Sequence, residues 1–96
     1  MPTTKTIVIQ IGNSDDKLSQ AEWAQFVEAV AYAVNAYALE VHFNGFSPPQ
    51  EKWQNAAWVA VCDEAATLEL GRELKRTRAH FRQDSVAFTI GDTKMI

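Results

Sequence analysis

The spacing of apolar residues changes along this chain, and the order of the changes leaves few folds open. Over residues 5–11, Ile7, Ile9 and Ile11 alternate with Thr6, Val8 and Gln10. That is the two-residue repeat of a strand with one face in a core, and Val8 on the other face predicts a central strand. From Gln20 to about Asn35 the repeat lengthens. Trp23, Phe26, Val27, Val30, Val34 and Tyr37 recur at helical steps, while Glu22, Gln25, Glu28 and Tyr32 face elsewhere. Residues 38–44 alternate again, Leu39, Val41 and Phe43 against Glu40, His42 and Asn44, which predicts a half-buried edge strand. Residues 56–62, Ala-Ala-Trp-Val-Ala-Val-Cys, are apolar on both faces and predict a central strand. The helical repeat returns from Glu64 to about His80, with Leu70, Leu74, Thr77 and Phe81 on one stripe. Residues 85–90 give a fourth strand with Val86, Phe88 and Ile90 inward.

The order strand, helix, strand, strand, helix, strand is the ferredoxin-like βαββαβ pattern of the α+β class. It predicts a four-stranded antiparallel sheet with both helices on one face, and right-handed crossovers give the order 4-1-3-2. The alternative is another α+β sandwich of the same elements with a different strand order. A chain of 96 residues makes one domain, 1–96, with a single modest core. In this topology the segment 12–18, the 44–54 loop and the 81–85 turn gather at one end of the sheet. Cys62, Asp63 and Glu64 lie at the other end, so a metal site built from Asp15, Asp16, Cys62 and Asp63 is excluded within one subunit.

Local signals agree with these boundaries. Ser19 and Glu22 have the spacing of a capping box, and Leu18 and Trp23 that of a hydrophobic staple. Asn13, Ser14, Asp15 and Asp16 before them favour turns, because their side chains bond nearby backbone groups. Asn44-Gly45 and Pro48-Pro49 break regular structure after the second strand. Asp63 stands where an N-cap belongs, and Gly71 interrupts the second helix at a cost of about 1 kcal/mol against Ala.

Several classes of function recede. The net charge of −3 argues against general nucleic-acid binding, which relies on Lys and Arg meeting phosphates. Arg72, Lys75, Arg76, Arg78 and Arg82 do cluster, but they fall on more than one helical face with Glu69 and Glu73 as neighbours. No apolar run approaches the roughly 20 residues of a membrane span. The lone Cys62 fits a reducing compartment, so a cytoplasmic protein is expected. No motif names a reaction: there is no phosphate loop and no G-x-S-x-G elbow. No cofactor and no bound metal are expected.

Asn13, Ser14, Asp15 and Asp16 with Arg82, Asp84 and His80 form the polar cluster that this fold would assemble. Adjacent carboxylates could hold a divalent cation or supply a general base. The plainer expectation is a capped loop whose acids pair with Arg82. His42 on an edge strand, His80 at a helix C-terminus and Cys62 at a strand end have structural readings that outweigh catalytic ones. The open face of the sheet is more informative. It should carry Val8 and Gln10, Ala87 and Thr89, and from the third strand either Trp58 with Ala60 or Val59 with Val61. A monomer would not leave such apolar residues in water, and Phe46 and Trp53 are likewise large to expose. Val8, Trp58, Phe46 and Trp53 are therefore the expected interface residues.

Residues 9–23 (Ile-Gln-Ile-Gly-Asn-Ser-Asp-Asp-Lys-Leu-Ser-Gln-Ala-Glu-Trp), Trp53-Gln54-Asn55 and Phe81-Arg82-Gln83-Asp84-Ser85-Val86-Ala87 resemble segments of small uncharacterised proteins of actinobacteria and actinobacteriophages. The resemblance implies a phage or mobile-element protein that binds itself or a host component, and it assigns no activity to any residue. The expectation is a non-enzymatic interaction domain, homodimeric or bound to a host protein. A ligand- or metal-binding domain or small hydrolase at Asn13–Asp16, Arg82 and Asp84 stands as the alternative.

Overall fold

A computed structural model describes residues 3–13, 17–47 and 54–96. The elements run β1 (Thr4–Gly12), α1 (Gln20–Tyr37), β2 (Ala38–Phe46), β3 (Asn55–Asp63), α2 (Glu64–His80) and β4 (Ala87–Gly91). The strands form one antiparallel sheet in the order β2-β3-β1-β4, the ferredoxin-like arrangement expected from the periodicity.

Period-two alternation sets what each face of the sheet does. Ile7, Ile9 and Ile11 of β1 stand opposite Ala60, Trp58 and Ala56 of β3, and all six are buried under the helices. Phe26, Val30 and Val34 of α1 and Leu70 and Leu74 of α2 close this core. Phe26 stacks on Phe81 at 5.1 Å between ring centroids, which joins the first helix to the end of the second.

Trp58 corrects the expected interface. Its side chain is 2% exposed and packs in the core, because its register opposite Ile9 places it on the helix side. Val59 and Val61 therefore occupy the open face.

The second strand departs from simple alternation. Pairing with β3 shifts register between Ala38 and Glu40 and again between Val41 and Phe43. Each irregularity inserts a residue and turns the residues after it to the other face. Val41 stays inward opposite Ala60, whereas Phe43 stands opposite Val59 on the open face and is 55% exposed. Leu39 is also left in solvent. The fourth strand begins at Ala87, so Val86 precedes it. Ile90 points toward the helix side yet is 47% exposed, since β4 lies at the sheet's edge.

Both helix starts are satisfied, by different means. Ser19 Oγ accepts from the Glu22 N–H at 3.2 Å and the Ser19 N–H donates to Glu22 Oε1 at 3.1 Å, completing the capping box. Asp63 is the N-cap residue of α2, but its side chain makes no capping bond. The Glu64 N–H donates instead to the Thr3 carbonyl at 2.8 Å, because antiparallel pairing brings the start of β1 there.

Candidate functional site

At the end of the sheet where β1 exits, the polar cluster resolves into separate partnerships. Asn13 is 2% exposed, and its amide closes the loop: Nδ2 donates to the Leu18 carbonyl at 3.0 Å, and Oδ1 accepts from the Leu18 N–H at 3.0 Å. Nδ2 also reaches Gln54 Oε1 at 3.1 Å, and the Asn13 N–H donates to the Gln54 carbonyl at 2.9 Å. Gln54 in turn exchanges side-chain bonds with Gln20 at the start of α1. Three chain segments are thus tied together by uncharged amides, and Gln20 and Gln54 are contributors that periodicity does not single out.

Arg82 and Asp84 share this end but face different partners. Arg82 Nη2 pairs with Glu22 Oε2 at 2.7 Å, and Asp84 with Lys17 at 3.5 Å. Arg82 thus meets the acid of the capping box, while Ser14, Asp15 and Asp16 lie outside the described residues. The Glu22 carboxyl is held below its ordinary range, first by the Arg82 hydrogen bond and then by the Ser19 backbone N–H. Arg82 has a positive φ of 57°, and the turn it makes is braced by Arg78 Nη1 donating to the Gln83 carbonyl at 3.0 Å.

The remaining candidates divide in the same way. His42 Nε2 lies 3.3 Å from Glu40 Oε2 on the edge strand, and the His80 ring packs edge-on against Phe81. Cys62 is fully buried, and burial pushes its thiol up from the ordinary range, which opposes nucleophilic use. Among the described residues no group of three or more His, Cys, Asp or Glu side chains could hold a metal ion.

The helices leave the other side of the sheet uncovered. Register places Thr6, Val8 and Gln10 of β1 beside Val61, Val59 and Ala57 of β3. Glu40, Phe43 and Gly45 of β2 extend the surface on one side, and Ala87 and Thr89 of β4 on the other. Apart from Glu40, which lies 3.3 Å from His42 at one end of the face, these residues are uncharged. A cleft of about 360 Å³ opens at one end of this face between Gln10, Phe43, Gly45, Phe46, Asn55 and Ala57. Val8 and Phe46 thus lie on or beside the uncovered surface, and Trp53 lies outside the described residues.

No protein-family model and no curated protein matches the chain. Solved structures do share its fold. A DUF3240 family protein from Shewanella baltica OS155 superposes with a TM-score of 0.57 at 12% identity, over 100% of this chain and 96% of that one. SnoaB, a cofactor-independent oxygenase from Streptomyces nogalater, gives 0.57 at 9% identity, over 100% and 97%. A dimeric ferredoxin-like protein from Thermobifida fusca YX gives 0.55 at 13% identity, over 91% and 89%. At such identities the likeness is one of fold, and this fold serves dissimilar functions. Among the described residues no helix is long and apolar enough to cross a membrane.

Proposed function

We propose that this protein is a non-enzymatic interaction domain that pairs with a second copy of itself through the open face of its sheet. The observation that carries this reading is the uncharged surface formed by Val8, Val59, Val61, Ala57 and Phe43. Two copies related by a two-fold axis would bring this surface against itself, and its neutrality removes the repulsion that a charged face would meet there. The irregular pairing of β2 twists one sheet edge away from strand addition, which favours contact through the face. The existence of a dimeric protein of the same fold is consistent with this arrangement. The resemblance to actinobacterial and phage proteins supports a mobile-element setting, and the lone Cys62 supports the cytoplasm. A host protein is the alternative occupant of the face.

Sedimentation of the wild type and Val59→Asp tests this. The wild type should sediment as a dimer and the variant as a folded monomer, since association would bury an unpaired carboxylate from each copy in the apolar face. A wild type that stays monomeric at high micromolar concentration would overturn self-association.

A second reading rests on the polar hollow of about 520 Å³ lined by Gln10, Asn55, Gln83, Asp84 and Ser85 at the β1 exit. A ligand there should raise the melting temperature by mass action, and Asp84→Asn should abolish the shift. A flat screen of divalent metals, nucleotides and phosphates would remove this reading.

A further inference from the structure

The basic segment of α2 is mostly committed to internal pairs. Arg72 pairs with Glu69, Arg76 with Glu73, and Arg82 with Glu22. Lys75 makes no hydrogen bond or ion pair among the described residues, and Arg78 uses only Nη1, on the carbonyls of Gln83 and Asp84. These two cations are three positions apart and share a helical stripe with Gly71 and Leu74. The stripe borders a hollow of about 300 Å³ between α2 and β4, whose apolar wall is Leu74, Val86 and Phe88.

Gly71 is the unexplained member. A Cβ built there would stand 3.5 Å from Phe88 Cε2 and 3.8 Å from Cδ2, which is ordinary van der Waals contact. Packing therefore does not require glycine, although a mid-helix glycine lowers stability. The missing side chain leaves the hollow open above Phe88.

We infer that this hollow binds a small amphiphilic carboxylate. Its apolar body would lie on Leu74, Val86 and Phe88, and its two oxygens would meet Lys75 and the free side of the Arg78 guanidinium, which is shaped for a carboxylate. Ser85 supplies a hydroxyl at the same rim. Asp84 also borders the hollow, but its charge is met by Lys17. Lys75 and Arg78 therefore face the ligand uncompensated, and the apolar wall favours an amphiphilic anion over inorganic phosphate. The volume lies at the small end of ligand pockets, about 300–1,000 Å³, which favours a short chain over a fused ring system.

Titration of the ¹⁵N-labelled protein with sodium octanoate, and separately with 1-octanol, tests the inference. Octanoate should shift the amides of residues 71–78 and 85–88 saturably and bind at least about tenfold tighter than octanol, the size of one charge-assisted hydrogen bond. Lys75→Gln should weaken octanoate binding and narrow the gap to octanol, with Arg78 retaining the remainder. Gly71→Ala should weaken octanoate binding while raising the melting temperature by about 4 to 8 °C, as removal of a helical glycine predicts. Equal affinity for octanol, shifts centred on the open face, or unchanged octanoate binding in Lys75→Gln would each overturn the inference. A lower melting temperature in Gly71→Ala would show that packing needs the glycine and would overturn it too.

Discussion

The Phe43 ring lies across Gly45 on the open face of the sheet, so close that a Cβ on Gly45 would stand 2.4 Å from Phe43 Cζ and 2.8 Å from Cε2. The glycine is what lets the ring lie flat against β2. Gly45→Ala should therefore lift Phe43 off the strand. The ring is half in solvent and free to move, so the fold should survive with a melting temperature within a few degrees of the wild type. Self-association should weaken, because the displaced ring would hold two faces apart. Analytical ultracentrifugation over a concentration series checks this, with unchanged dimerisation as the contrary result.

Trp58 and Val59 are chain neighbours on opposite faces, and substitutions there should separate folding from assembly. Trp58→Ala empties a large buried site and should cost about 3–5 kcal/mol, a large share of the stability of a small domain. Val59→Asp should leave the unfolding midpoint of the monomer much closer to wild type. Urea unfolding followed by circular dichroism measures both. Similar losses at the two positions would mean that Val59 is part of the folding core.

Asn13 should behave as a structural residue. Asn13→Ala leaves the Leu18 N–H and the Leu18 carbonyl without their side-chain partner, while Gln54 Oε1 keeps Gln20, and should cost about 1–3 kcal/mol. The loss should appear as a lower urea midpoint with an unchanged slope.

The capping box should be visible in the acid limb of stability. Glu22 has a lowered folded-state pKa, so the stabilisation from its ionised form is complete above the ordinary Glu range. It is lost as the pH falls through that range toward the folded value. Glu22→Gln should flatten this part of the stability–pH curve, measured as urea midpoints between about pH 6 and pH 3, the range that brackets a Glu titration. Ser19→Ala should lower stability by about 1 kcal/mol through loss of the cap itself. A wild-type acid slope retained in Glu22→Gln would assign it to other carboxylates.

Much of this architecture was legible in the one-dimensional pattern. The isoleucine alternation of β1, the helical stripes, and the Ser19–Glu22 spacing report interactions between residues near one another in sequence, so periodicity and capping rules capture them. The sheet order followed because right-handed crossovers leave few ways to connect those elements. The meeting of Asn13, Leu18 and Gln54, and of Lys17 with Asp84, at one end of the sheet followed from that order.

Facing and partnership were decided only in three dimensions. Residues 56–62 are apolar on both sides, so their alternation could not say whether Trp58 or Val59 meets the helices; the register against β1 did. The register shifts in β2 turned Phe43 outward although its spacing from Val41 promised the inward face. Arg82 found Glu22, sixty residues away in sequence, and Asp84 found Lys17, because charge pairing depends on distance in space and leaves no local trace. From its sequence this chain determined which elements form and where they begin. Tertiary packing determined which side chains were covered and which were left to solvent, since burial depends on what covers a face as well as on which residues line it.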